Sequence, residues 1–422
     1  MKKALLNGEA LDASQMGTLV IEQFLLENYR FRQNILNGKV EFAILPKAAD
    51  AAEGNTANAD GSLSEGFDEA DLEFHPLTKK ALNSIVIRAK RENVMEKGNP
   101  KSEIADYVES DEIPVYNPAQ VFLNSLPKWD GENHVGRLFS RLPGASSEQQ
   151  NFLAIWLRSA VAHWLQMDML HGNECVPTLI GDQGCGKTTF VRRLLPMQLR
   201  EYYLDHLNLS NKFDKEMAPT NNLLVNLDEL DAIRPSQHPA LKQTLSKSKV
   251  NGRPIFGRTQ ADRPRYASFV ATTNNPHPLT DATGSRRYIC LTIPKGQLID
   301  NTGSIDYQQL YAQVVYELRE LKAPYWFNND EVARIQELNL EYMAQKDMTE
   351  MIDACFLKPQ EGEKGRLMSN AEILGILTNE FPSLKTKTGL TIKLGLAMKE
   401  RGFEQSRPHN VAHYRVVPKV PK

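Results

Sequence analysis

The spacing of apolar positions divides the chain into zones of different kinds. Apolar residues recur at helical spacing in GTLVIEQFLLENY (residues 17–29), which predicts a helix. The next stretch, YRFRQNILNGKVEFAIL (29–45), alternates on either side of Asn37-Gly38, a hairpin signal. The pattern then lapses. Between Lys47 and Lys79 there are eight Asp/Glu and no Lys or Arg, so residues 48–76 are expected to be a flexible acidic linker. Helical periodicity resumes in LTKKALNSIVIRAKRENV and NPAQVFLNSLPKW and continues through residues 134–172.

From Val176 to Pro294 the pattern changes to short apolar runs separated by helical stretches. The runs are VPTLIG, NLLVNL, ASFVATT and RRYICLTI, and they predict a parallel α/β sheet. Beyond them the chain reads as helical to about residue 348. Three short helical runs and a terminal AHYRVV then suggest a winged-helix-like end. The expected division is an N-terminal helix and hairpin (1–47), the linker (48–76), a helical domain (77–172), an α/β core (173–298), a helical connection (299–348) and the winged-helix-like domain (349–422).

Composition narrows the function classes. Hydrophobic residues at 41% and charged residues at 24% are ordinary for a globular protein. A net charge of −2 means that any nucleic-acid contact must come from a local basic patch. Four scattered cysteines without a CxxC pair argue against zinc and disulfides and fit a reducing cytoplasm. The most apolar long run, FLAIWLRSAVAHWL, is interrupted by Arg158 and His163, so no membrane span is expected.

GDQGCGKT at residues 181–188 carries the spacing of a phosphate-binding loop, with an apolar strand before it and a helical run after it. Gly181, Gln183, Gly184, Cys185, Gly186, Lys187, Thr188 and Thr189 are the candidate nucleotide contacts. The glycines let backbone amides turn toward a phosphate, and the following helix adds its positive end. Lys187 would bridge the β- and γ-phosphates of ATP, and Thr188 would ligate Mg2+. Cys185 reads better as a small residue filling a slot than as a reactive thiol. LLVNLDEL ends an apolar strand in Asp228 and Glu229, the first suited to holding the metal and the second to polarising a water. Asp231 reads as a capping or surface acid. In ASFVATTNN, Asn274 leaves the strand directly and can orient that water, while Asn275 before Pro276 reads as a turn former. NKFD at 211–214 matches a guanine-specificity pattern. It precedes Asp228 and follows no apolar run, so it is read as coincidence.

Residues 242–265 hold seven Lys/Arg against one acid, Asp262, which suits a phosphate backbone. Asn251-Gly252 and Phe256-Gly257 mark turns there, so a hairpin or ordered loop is expected. Further on, TDATGSRRY sets Arg286 and Arg287 side by side on a tight turn.

The order GDQGCGKT, LDEL, RPIFGR, TTNN, DATGSRRY resembles the virulence-associated protein E family. These are phage- and mobile-island-borne ATPases similar to superfamily 3 helicases and viral primase-helicases. The resemblance covers about residues 105–295. It implies an AAA+-like P-loop core, a hexameric ring, ATP hydrolysis between subunits and single-stranded DNA in a central basic channel. Lys187, Thr188, Asp228, Glu229 and Asn274 fall on the catalytic motifs. Lys249, Arg253 and Arg258, with Lys247 beside them, fall on the DNA motif, and Arg286 or Arg287 on the arginine finger. Residues 1–110 offer no convincing set of three metal-binding carboxylates, so no fused primase is expected.

Three functions remain open on sequence. The leading one is an ATP-driven DNA helicase or translocase for a mobile element, working with host or phage replication proteins. The others are a nucleotide-gated DNA-binding initiator or anti-phage ATPase without unwinding, and a P-loop small-molecule kinase.

Overall fold

The computed structural model describes residues 5–6, 9–10, 13–46, 72–167, 173–230, 233, 237–252, 261–280, 284–343, 348–360, 364–381, 384, 389–408 and 411–419. Residues 48–71 of the expected linker, Asp231, Arg253 and Arg258 lie outside them.

Two two-residue strands, β1 (Leu5–Leu6) and β2 (Glu9–Ala10), pair antiparallel ahead of α1 (Ala13–Asn28). The predicted hairpin follows as β3 (Tyr29–Asn34) and β4 (Val40–Ile44), with Gly38 at φ +68° supplying the left-handed turn residue. The linker ends earlier than residue 76, because β5 (His75–Pro76) pairs with β4. Next come α2 (Lys79–Arg91), α3 (Pro100–Val108) and β6 (Val115–Tyr116), which pairs parallel with β3. Ile21, Leu25 and Phe31 share one core with Ile85, Ala89 and Ile104. Packing therefore runs across the boundary expected at residues 76–77.

The middle of the molecule begins with α4 (Pro118–Asn124), α5 (His134–Phe139) and α6 (Ser147–Trp164). A capping box between Ser146 and Gln149 starts α6, whose Trp156, Val161 and Trp164 are buried. The predicted sheet is β7 (Val176–Ile180), β8 (Tyr203–Leu204), β9 (Leu224–Asp228), β12 (Ser268–Thr273) and β13 (Tyr288–Thr292). All its pairings are parallel, in the order β13-β7-β12-β9-β8. Its crossovers carry α7 (Lys187–Arg192), α8 (Lys212–Asn221) and α9 (His238–Ser246). A separate antiparallel hairpin, β10 (Lys249–Gly252) with β11 (Ala261–Pro264), precedes β12. Asn251 and Gly252 belong to β10 and are not its turn.

After β13, α10 (Tyr307–Arg319) and α11 (Asn329–Leu338) return to the sheet. Leu310, Tyr311 and Val314 of α10 join Trp156, Val161, Leu179 and Leu291 in one core. The expected helical connection is thus a layer of the central unit.

The chain ends with α12 (Met348–Cys355), β14 (Phe356–Leu357), β15 (Arg366–Ser369), α13 (Asn370–Glu380), α14 (Leu390–Glu400), β16 (Gln405–Ser406) and β17 (His413–Pro418). These close around a separate core of Ile352, Met368, Leu377, Leu394, Met398 and Val416. Among the described residues, no helix is long and apolar enough to cross a membrane.

Candidate functional site

Strand register assembles the site. Ile180 is paired with Thr273, and Thr272 with Asp228, so the ends of β7, β12 and β9 lie side by side at the carboxyl edge of the sheet. The loop at 181–186 leaves β7 there, held by Gly181 N–H donating to Thr273 O at 3.2 Å. Asn274 and Glu229 leave the neighbouring strands at the same edge. Every residue of β7 is buried, which explains its unbroken apolar run between two parallel neighbours.

The loop uses two left-handed glycines, Gly184 at φ +83° and Gly186 at φ +93°. A Cβ on Gly184 would meet nothing within 4 Å, whereas one on Gly186 would lie 2.5 Å from Asn301 Nδ2. Gln183 and Gly184 are exposed, Thr188 is half-buried, and Thr189 is exposed. Cys185 is buried, as the slot-filling reading expects.

Lys187, only 8% exposed, is the first residue of α7. Its ammonium donates to Gly181 O at 2.7 Å, Asp182 O at 3.0 Å and Asn274 Oδ1 at 2.9 Å. Three donors meet three acceptors, so the buried charge is fully hydrogen-bonded. The same contact ties Asn274 to the loop. Asn275 does something different: its Oδ1 accepts from His277 N–H at 2.9 Å and makes the turn.

Asp228 is half-buried and accepts from Thr272 Oγ1 at 2.5 Å, which fixes one carboxylate oxygen. Glu229 is exposed and has φ +51°, uncommon for a residue with a Cβ, so the chain kinks as it leaves β9. Thr188, after the loop, and Asp228, at the end of β9, are the two residues that could hold a divalent cation at this edge. Among the described residues no group of three or more His, Cys, Asp and Glu could hold one. That donor set fits magnesium, which takes one or two protein ligands and completes its shell with phosphate oxygens and water.

Three residues missed by sequence reasoning brace the loop. Ile299 N–H donates to Cys185 O at 3.0 Å, and Asn301 Nδ2 to Gly186 O at 2.9 Å. Arg193 in turn holds the Asn301 and Gly303 carbonyls. No local pattern marks this strap, because residues 299–303 lie over a hundred positions from the loop.

Arg286 and Arg287 are at the other edge. They form a 3-10 turn immediately before β13, and Tyr288 pairs with Val176 at the start of β7. The length of β7, ~13 Å at ~3.3 Å per residue, separates that end from the loop. The two arginines also differ. Arg287 is partly buried, with Nε 3.5 Å from Glu174 Oε2 and NH2 donating to Ser246 Oγ at 3.3 Å. Arg286 is exposed, and its guanidinium makes no hydrogen bond or ion pair with a described residue. Asn339, also missed by sequence reasoning, clamps the turn by donating to Ser285 O at 2.7 Å and Tyr288 O at 2.6 Å.

The basic segment divides similarly. Lys247 and Lys249 are exposed. Arg265 is internal, donating to the carbonyls of Ala267 (2.8 Å), Asn173 (2.8 Å) and Leu245, with its guanidinium over Phe269. Burial pushes its pKa down to about 10. Arg263 donates to Asn221 Oδ1 at 2.9 Å and to the Ile35 and Leu36 carbonyls at 3.1 Å, clamping the hairpin to the N-terminal unit. Two of the seven charges counted there are therefore structural. NKFD contributes a helix start, with Asp214 N–H donating to Asn211 Oδ1 at 3.4 Å, and is not part of the site.

The family model described as "Virulence-associated protein E-like domain" matches residues 123–344, more than half of the chain. Among solved structures, the A-form apo structure of the NrS-1 C-terminal region (305–718) aligns over 95% of this chain and 99% of its own. Its identity is 13% and its TM-score 0.42. A second apo structure of that region aligns over 96% and 99%, with 12% identity and a TM-score of 0.42. No curated protein matches the chain.

Proposed function

The chain belongs to the virulence-associated protein E-like domain family, and from that premise we propose that it is an AAA+-like P-loop ATPase. It acts on DNA as a ring of identical subunits, as a helicase or translocase in the replication of a phage or other mobile element. The observation that carries this reading is the division of groups between the sheet edges. Lys187, Asn274 and Asp228 converge at one, and an exposed Arg286, whose guanidinium has no partner among the described residues, stands at the other.

ATP would bring the phosphoryl group and its negative charge, and bound magnesium would screen that charge. The rest is the work of this chain. Backbone amides of residues 182–187 face phosphate oxygens, and Lys187 neutralises them. Thr188 and Asp228 would hold the metal, with Thr272 fixing the orientation of the Asp228 carboxylate. Glu229 accepts the proton of the attacking water, and Asn274 aligns that water from the adjacent strand.

Arg286 lies at the wrong edge to serve its own chain's loop. It stabilises the charge at the site of a neighbouring copy, and Arg287 positions the turn through Glu174 and Ser246. A site completed across an interface requires assembly, which supports a closed ring. The exposed Lys247 and Lys249 lie near the hairpin base, which is joined to the arginine turn through Ser246. A DNA contact at the lysines is thereby linked to the finger of the next site.

The direct test is phosphate release with and without single-stranded DNA, paired with particle mass in ATP. DNA-stimulated release from a ring-sized particle is expected. An ATPase rate indifferent to DNA removes the motor reading, and phosphoryl transfer to an acceptor in place of phosphate release favours a kinase.

A further inference from the structure

We infer that the C-terminal unit is a second nucleic-acid site, one that holds duplex DNA by its phosphates without reading base sequence. Its element order is helix, two strands, helix, helix, two-stranded wing. It places α14 after α13 and follows α14 with the β16–β17 ribbon, paired Gln405↔Tyr414 and Ser406↔His413. That order presents α14 as the helix that enters a groove and the ribbon as its flank.

Charge points to the partner. Residues 382–422 contain nine Lys/Arg and two Asp/Glu, in a chain whose net charge is −2. Among the described basic residues here, some are committed within the unit. Arg401 pairs with Asp353 at 2.7 Å, Arg415 lies 3.9 Å from Glu404, and Lys419 donates to Asp353 O. Lys393 and Lys399 on α14, and Arg407 beside the wing, are exposed and make no hydrogen bond or ion pair with a described residue. They frame the helix and its flank with the counter-charge of a phosphate backbone.

The face of α14 also indicates how the duplex is held. Leu394, Ala397 and Met398 point into the core. The exposed positions include Ile392 at 72% and Leu396 at 65%, with Thr391, Lys393, Lys399 and Glu400 around them. None is Arg, Asn or Gln, so the amide contacts to adenine and the guanidinium contact to guanine are missing from this helix, and its two lysines are assigned to the phosphates. Ile392 and Leu396 make no hydrogen bond to a base edge, while the lysines reach the strands beside the groove. This predicts affinity with little sequence preference. The surface does not depend on ATP hydrolysis and is separate from the β10–β11 hairpin.

The test uses the full chain and fluorescence anisotropy on two unrelated blunt duplexes of equal length, titrated with salt. Lys393→Ala/Lys399→Ala/Arg407→Ala should weaken duplex binding about 10²-fold at low salt and reduce the salt slope by roughly 3, about one per phosphate contact. The Lys393→Arg/Lys399→Arg/Arg407→Lys protein should bind as the parent does, which separates charge from folding. An unchanged isotherm and slope in the triple alanine protein overturns the proposal and leaves the Ile392–Leu396 face to a protein partner. A tenfold preference between the two duplexes overturns the sequence-independent part.

Discussion

The two edges of the central sheet are built from the same strands to opposite effect. At the carboxyl edge, the functional groups satisfy one another: Lys187 is bonded to the loop and to Asn274, and Asp228 to Thr272. At the amino edge, Glu174, Ser246 and Asn339 hold the turn in place, yet the exposed Arg286 guanidinium makes no hydrogen bond or ion pair with a described residue. Holding a turn rigid costs conformational entropy, and here that order serves to present one exposed cation. On the proposed reading, the carboxyl edge is the site and the amino edge supplies the site of another copy. A parallel sheet makes this separation unavoidable, because the turn that feeds a strand and the loop that leaves its neighbour sit at opposite ends.

The sharpest way to break the comparison is Arg286→Ala beside Arg287→Ala. Arg286→Ala should lower ATP turnover by ~10³, the lower range for an arginine finger, while leaving nucleotide binding intact. Arg287→Ala should have the smaller effect on turnover and also lower thermal stability, since it leaves Glu174 unpaired. Mixing Arg286→Ala subunits with Lys187→Ala subunits should restore activity, because each supplies what the other lacks. Stable mixed rings without recovery would place the arginine in cis and collapse the distinction between the edges.

Next in size is Lys187→Ala alone, expected to reduce turnover by ~10²–10³ by removing a preorganised charge from the site. It also frees Asn274 Oδ1 from its lysine partner. Particle mass should remain that of the parent, because the proposed interface lies at the other edge. Loss of the ring in this variant would mean that the carboxyl edge also builds the interface.

The strap over the loop gives a smaller, structural effect. Gly186→Ala forces a Cβ toward Asn301 Nδ2 at a backbone conformation that disfavours a side chain. It should lower stability by about 1–3 kcal/mol, read as a shift in denaturant midpoint. Gly184→Ala has an equally unfavourable φ but no steric neighbour, so it should cost less. Equal losses at both positions would show that the strap contributes nothing beyond backbone strain.

These effects mark what could be read in the sequence. The loop, Asp228 and Asn274 were legible because their signal is local: a glycine spacing or a polar residue directly after an apolar run. Parallel α/β alternation was legible for the same reason. The bracing contacts were not, because Asn301 meets Gly186 and Asn339 meets Ser285 across long intervals that only the folded chain closes. The short strands β5 and β8 have two residues each, too few to show a period. Counting charges also overstated the basic segment. Arg263 and Arg265 look like Lys247 and Lys249 in a sequence, but their partners are buried carbonyls.

That last contrast yields the smallest predicted effect and extends the amino-edge argument to DNA. β11 ends at Pro264 and the chain enters the amino end of β12 at Ser268, so the hairpin also springs from this edge. Lys249 is exposed and has no partner among the described residues, so Lys249→Ala should reduce the salt slope of single-stranded DNA binding by about 1 and leave the unfolding midpoint unchanged. Arg263→Ala should do the reverse, because its guanidinium holds Ile35 and Leu36 of the N-terminal unit. Its removal strips hydrogen-bond donors from those two carbonyls and from Asn221, lowering the midpoint while the salt slope holds. If Arg263→Ala instead changes the slope by as much as Lys249→Ala, the clamp opens in the DNA complex. The amino edge would then be a moving part and not a rigid mount for Arg286.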